Sequence, residues 1–328
     1  MFKKKKILVA GGTGLVGQPL VDKLIKLGGI VYVASLDNKS LVNKNVKNFF
    51  KLNLTDLKNC IKVTRGMDIV FNLLGVTGSP KTNIEFPASF FMSNIYCAIN
   101  LLEASRINKV KKYLYTSSYG VYAPSPLSKE DSVWRTFPSE HDKYAGWAKR
   151  MGELQVEAFQ KQYDFMDIHI VRPANIYGPF ANFNPINSMV VSSLLRRVIK
   201  KENPLVIWGD GSSIRDFIYS KDVASGMIEV MKKNVKSPVN LGSGKGFSIK
   251  ELLNTILRNN KIKFRPKIIW DKSKPSGDKK RILDTKKAKK LGIYTKYDLK
   301  KGMDETITWY LKNYNSIEGL RFNQFKKK

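Results

Sequence analysis

The chain has 328 residues, 42% of them hydrophobic, with 58 Lys and Arg against 27 Asp and Glu, two cysteines and two histidines. That length and apolar content suit one large α/β unit or two intimate domains, while Cys60 and Cys97 are too few for a disulfide framework and point to a reducing, cytoplasmic compartment. The formal net charge of +31 raises nucleic acid as a partner, but the lysines are dispersed over every segment and no zinc-finger spacing or arginine-rich helix is present, so nucleic acid is disfavoured.

The opening MFKKKKILVAGG starts like a signal sequence, yet its apolar run ends at Ala10, shorter than a signal core. No other run approaches the roughly 18–20 apolar residues that cross a bilayer, and no membrane association is expected. Along the chain, KKILVAG, GIVYVAS, NFFKLNL, DIVFNLLG, KKYLYTSS and DIHIVRP read as six strands. Most are continuous apolar runs, as for strands covered on both faces of a parallel sheet. Helical patterns near residues 15–27, 56–64, 87–107 and 144–162 alternate with them, which predicts a doubly wound parallel sheet of Rossmann type. After Pro173 the rhythm changes to longer loops, short strands such as PLVIWG and further helices. The expected division is a dinucleotide-binding domain over 1–175, a smaller C-terminal α/β substrate domain over 176–315 interleaved with it, and a basic tail over 316–328, frayed at Lys326 to Lys328. Ser248 and Glu251 in FSIKEL fit a helix capping box. LGSGKG just before it lacks the Ser or Thr and the spacing of an ATP-binding loop.

VAGGTGLVGQPL places Gly11, Gly14 and Gly17 directly after the first strand and at the start of a helix. Glycine there permits the tight turn, the approach of backbone to a pyrophosphate, and close packing of helix on strand. NAD or NADP is therefore the expected cofactor. Strand two should end near Ser35, with Asp37 two residues further on. A small hydroxyl at the strand end, with Lys39 nearby, leans slightly to NADP. Asn53, after strand three, is placed either to meet the adenine edge or to serve as a turn residue.

Metal chemistry is not expected, because His141 and His169 have no ligand-spaced partners and His169 alternates within a strand. Cys97 lies in an apolar helical pattern, no G-x-S-x-G elbow is present, and nucleophilic hydrolysis is set aside. Met151 and Met189 read as packing residues.

The spacing GxxGxxG, then TSSYGVY, then RPANIYGP resembles the extended short-chain dehydrogenase/reductase family of NAD-dependent nucleotide-sugar epimerases, dehydratases and reductases. GVTGSPKTNIEFPASFFMSN, RPANIYGPFANFNPINS, IWGDGSSIRDFIYSKDVA and KPSGDKKRILD, in that order, are most similar to its GDP-L-fucose synthase branch. The resemblance implies an enzyme with dinucleotide contacts from Gly11, Thr13, Gly14, Leu15, Val16 and Gly17, from Ser35, Asn53 and Leu54, and from Leu74, Lys149 and Pro173. It implies a nucleotide-diphosphate sugar, GDP-linked by preference, held by Asn175, Arg197, Trp208, Arg215, Lys274 and Arg281. Ser118 would hydrogen-bond the reacting sugar oxygen, and Lys149 would bind the nicotinamide ribose and lower a phenol's pKa. A homodimer through the helices near 87–107 and 144–162 is the form implied.

Three positions depart from that pattern. The tyrosine expected four residues before Lys149 is Ala145, and Tyr144 stands five before it. The positions of the branch's epimerising cysteine and histidine hold Gly120 and Met189, neither of which can move a proton, so double epimerisation is expected to be absent. Tyr144 is expected to fill the catalytic role from a shifted position just outside the helix. The competing expectations are an altered site, where Ser118 and Lys149 bind but chemistry is slow, and a member that binds without turnover. The rival from another class is a basic RNA-binding scaffold on the same fold.

Overall fold

A computed structural model describes residues 1–76, 85–274, 277–317 and 320–322. The first half alternates β1 (Lys6–Ala10), α1 (Gly17–Lys26), β2 (Ile30–Ala34), β3 (Asn48–Phe50), α2 (Leu57–Thr64), β4 (Ile69–Asn72), α3 (Pro87–Ile107), β5 (Lys112–Thr116), α4 (Lys143–Gln162) and β6 (Asp167–Pro173). All six expected strands and four expected helices are present. NFFKLNL pairs over only three residues, at the sheet edge. The second half carries β7 (Asn175–Tyr177), α5 (Val190–Ile199), β8 (Leu205–Trp208), β9 (Ile214–Arg215), β10 (Phe217–Tyr219), α6 (Ser220–Lys232) and β11 (Val239–Leu241). It ends with β12 (Phe247–Ser248), α7 (Ile249–Leu257), β13 (Ile268–Asp271), β14 (Lys280–Arg281), α8 (Lys286–Lys290) and α9 (Leu299–Ile317).

The main sheet is parallel with order β11-β6-β5-β4-β1-β2-β3. The direction of winding reverses between β1 and β4, the point at whose carboxyl ends a doubly wound sheet has its binding crevice. All four residues of β4 are buried, which is why the strand reads as an unbroken apolar run. Leu20 and Leu24 of α1 and Val223 and Met227 of α6 belong to the core on one face of the sheet, and Leu101, Leu102 and Val156 to the core on the other. A separate core in the second half joins Leu194, Leu195, Phe217, Leu252, Ile256, Met303 and Ile307. From there the chain returns to supply α6 and β11 to the main sheet and its core. The capping box at Ser248 and Glu251 forms as expected.

Of the segment from residue 316, α9 takes in residues to Ile317, the Leu320 carbonyl accepts from the Asn38 N–H, and the Phe322 N–H donates to Asp37 in the loop after β2. Lys326 to Lys328 lie outside the described residues, as do residues 77–84 of the GVTGSPKTNIEFPASFFMSN segment and Pro275 and Ser276 of KPSGDKKRILD. Among the described residues, no helix is long and apolar enough to cross a membrane.

One ionic network ties α4 to the sheet. Arg172 of β6 donates from Nε to Glu153 Oε1 at 2.9 Å and from the terminal NH2 nitrogen to Oε2 at 2.6 Å, with side chains 1% and 2% exposed. The Ser117 hydroxyl donates to the same carboxylate. Arg172 also donates to the Tyr122 hydroxyl at 3.0 Å, and that hydroxyl donates to Asn240 of β11 at 2.6 Å. Removing one member of such a pair leaves a buried charge without its counter-ion. Glu153→Ala should therefore lower unfolding free energy by about 3–5 kcal/mol in a denaturant titration; a loss under about 1 kcal/mol would mean that the pair behaves as a surface pair.

Candidate active site

The glycine loop joins β1 to α1. Gly11 has φ +83°, the left-handed conformation that favours glycine, and a Cβ on Gly17 would overlap the Gly11 carbonyl and the Gly12 backbone. α1 has no side-chain cap at its start; the Gln18 N–H bonds the Gly14 carbonyl at 3.0 Å and Pro19 has no N–H, so what the helix start offers an anion is chiefly its positive end. Val16 is buried, and Leu15 packs against the core of the second half. The Thr13 hydroxyl lies 2.8 Å from the Ser35 hydroxyl and donates to Asp37 at 2.7 Å. The loop and the end of β2 are thus already linked. The residues fit a dinucleotide: the cradle is one that any Cβ would fill.

Asn53 is exposed and its side-chain oxygen accepts from the N–H and hydroxyl of Thr55, a local turn. Leu54 is buried in the core. Pro173 ends β6 beside Leu241.

Lys149 lies on the inner face of α4, 8% exposed, and its ammonium donates to the carbonyls of Leu74 at 3.0 Å and Thr116 at 2.9 Å. These carbonyls close the ends of β4 and β5, at the crevice. A Cβ on Gly75 would sit 3.2 Å from Lys149 Nζ, so the small residue makes room for the amine. Burial pulls the Lys149 pKa down to about 8, against smaller upward contributions from Cys97 and Glu153. Ser118, two residues beyond Thr116, is half-buried at the start of a short turn and accepts from the Gly120 N–H at 3.0 Å.

Tyr144 does not stand just outside the helix. α4 begins at Lys143, so Tyr144 lies within its first turn, and it is 42% exposed. Five residues subtend about 140° on a helix, which turns Tyr144 away from Lys149. Ala145 occupies the position one turn before the lysine. A Cβ on Gly146 would overlap the Gly120 carbonyl, so the glycine lets α4 abut the turn after Ser118.

On the substrate side, Arg215 and Arg281 are direct register partners of β9 and β14. Arg281 is 6% exposed, bonds Asp142 at 2.6 Å, lies 3.1 Å from Asp278 and stacks on Tyr119 at 4.1 Å. Arg215 donates to the Asp278 carbonyl at 2.6 Å. The two guanidiniums form a forked donor patch suited to a diphosphate. Asn175 is committed to the Asp216 carbonyl at 2.9 Å. Arg197 donates to Glu202 at 2.9–3.0 Å and to the Val206 carbonyl at 2.6 Å. Trp208, 43% exposed, ends β8 two residues from Val206, and Lys274 is exposed. Met189 is 41% exposed at the start of α5.

Asp142, Asp278 and Arg321 were missed by sequence reasoning. Asp142 is nearest to being legible, since it directly precedes a helix, but that position suggests a cap and the structure shows no side-chain cap there. The Cβ position of Gly120 lies 3.4 Å from Ser118 Oγ and 3.5 Å from the Asp142 carboxyl carbon. Cys60 and Cys97 are inert: burial pushes their thiols up to about 12 and about 11. His169 is fully buried against the Val235 carbonyl. Among the described residues, no group of His, Cys, Asp and Glu could hold a metal ion.

Residues 7–242 match the NAD dependent epimerase/dehydratase family. The chain is 28% identical to GDP-L-fucose synthase of Escherichia coli (strain K12), covering 97% of this chain and 100% of that protein. It is 32% identical to the probable GDP-L-fucose synthase 1 of Oryza sativa subsp. japonica, over 96% of this chain and 95% of that one. Among solved structures it resembles UDP-glucose 4-epimerase with UDP-glucose from Thermotoga maritima, with a TM-score of 0.83, 28% identity, and 94% and 99% of the two chains covered.

The shifted lysine gives a direct check. In a folded-state NMR titration of side-chain amines, the Lys149 signal should titrate at about 8. The unfolded chain holds that proton to about 10.4, so stability from this group should rise with pH between those values. Titration alongside the exposed lysines would contradict the burial argument.

Proposed function

The chain belongs to the NAD dependent epimerase/dehydratase family, and we propose that it is an NAD(P)-dependent enzyme moving hydride at a carbon of a nucleotide-diphosphate sugar, a GDP-sugar by preference. The observation that carries this reading is the buried Lys149, held by two strand-end carbonyls at the crevice with its pKa brought to about 8. A bound dinucleotide supplies or accepts the hydride. The chain's own task is then to fix the sugar oxygen and move its proton.

Two of the three Lys149 N–H donors are occupied by carbonyls, which leaves the third for the crevice. With Ala145 where a phenol would stand, Lys149 itself is the group whose pKa lies near neutrality, the range that suits a general acid or base. Ser118, whose oxygen already accepts one N–H, orients the sugar oxygen. In the reducing direction the ammonium gives its proton to that oxygen; in the oxidising direction the amine takes it back. Arg215 and Arg281 hold the diphosphate, with Asp142 and Asp278 balancing their charge when the substrate is absent. Gly120 and Met189 leave double epimerisation outside this chemistry.

We extend the proposal to a cytoplasmic homodimer joined through α3 and α4, where Met92, Tyr96 and Leu154 stand 39–46% exposed. Leu154→Glu should convert the dimer to a monomer by light scattering; a wild-type monomer would refute this interface. For the chemistry, oxidation of NADPH or NADH should be followed with GDP-4-keto-6-deoxymannose as the first probe and UDP-glucose-derived sugars as the second. Lys149→Met should lose about 10²–10⁴-fold in kcat, and Ser118→Ala about 10², while Tyr144→Phe leaves turnover unchanged. Loss of turnover in Tyr144→Phe would return the proton to the phenol.

A further inference from the structure

We propose that Arg321, delivered by the C-terminal segment, belongs to the dinucleotide site and selects NADP(H) by binding the phosphate on its adenosine ribose. This inference rests on the dinucleotide reading above and names a residue that lies 308 positions from the glycine loop it touches. Arg321 donates to the Thr13 carbonyl at 2.8 Å, to Asp37 Oδ2 at 2.7 Å and to the Phe180 carbonyl at 2.5 Å. The segment is pinned on either side, by the Phe322 N–H on Asp37 Oδ1 at 2.8 Å and by the Asn38 N–H on the Leu320 carbonyl at 3.0 Å.

This corner, between the glycine loop and the end of β2, is where a βαβ unit places the adenosine ribose. An acid there reads a 2′-hydroxyl, and an arginine accommodates a 2′-phosphate. Both types are present, but they are not equally available. Asp37 already accepts from the Thr13 hydroxyl, the Arg321 guanidinium and the Phe322 N–H. Its charge is neutralised and its oxygens are engaged.

Arg321 is the less satisfied partner. Two of its three bonds end on neutral carbonyls, and its buried Nε has no acceptor among the described residues. A planar fork so placed gains by turning onto phosphate oxygens, which accept in pairs and carry charge. Its contact with Asp37 keeps the side chain at the corner when no phosphate is present.

The test is a fluorescence titration of the full chain with NADPH and with NADH, for wild type, Arg321→Ala, Arg321→Lys and Asp37→Asn. Wild type should prefer NADPH. Arg321→Ala should weaken NADPH by about ten- to hundredfold and leave NADH unchanged, which also shows that the variant is folded. Arg321→Lys should recover part of the loss, and Asp37→Asn should tighten NADPH by freeing the guanidinium. Equal weakening of both dinucleotides, no effect on either, or a wild-type preference for NADH would overturn the assignment of Arg321 alone. A wild type that binds neither would overturn it together with the dinucleotide reading.

Discussion

The buried pair of Glu153 and Arg172 is the constraint on which the site depends. Glu153 sits one turn after Lys149 on α4, and its carboxylate is fixed by Arg172 of β6 and by Ser117 at the end of β5. Helix rotation is thereby set from below, and the lysine one turn earlier meets the carbonyls of Leu74 and Thr116. The same carboxylate is a source of positive shift on Lys149, smaller than the desolvation that opposes it. Packing alone would tolerate small slips of α4 along the sheet; a two-pronged ion pair does not.

The neighbourhood of that helix bears on the chemistry proposed for a site with an alanine at position 145. Gly146 and Gly120 allow the start of α4 to close on the turn after Ser118. Arg150, 1% exposed, bonds the Val121 carbonyl at 2.6–2.9 Å and fixes that turn from the other side. In the mechanism proposed above, the role of the missing phenol passes to an amine whose pKa is lowered by burial.

Much of this was legible in the sequence because it is local. Continuous apolar runs identify β1, β4 and β5 as covered strands, and the glycine spacing identifies the loop before α1. Lys149 and Ser118 are implied by the resemblance of the segments that carry them. Tyr144 is exposed in the first turn of α4, and the packing of that turn, through Gly146 on Gly120, is not local. Asp142 reaches Arg281 over 139 residues and Asp37 reaches Arg321 over 284. Charge pairs at such separations carry no periodic signal, and in a chain with a net charge of +31 a single arginine near the end reads as one more basic side chain. Arg197 shows the converse, a residue placed by resemblance that the fold engages with Glu202.

The most direct test of the account is the pH dependence of hydride transfer in a single turnover, followed by stopped-flow absorbance of the reduced dinucleotide with a keto-sugar nucleotide. If Lys149 is the proton donor, the rate in the reducing direction is constant at low pH and falls through an apparent pKa of about 8, and Tyr144→Phe leaves the break in place. A break near 10, the ordinary range of a phenol, or one that disappears in Tyr144→Phe would contradict the account and assign the proton to the tyrosine.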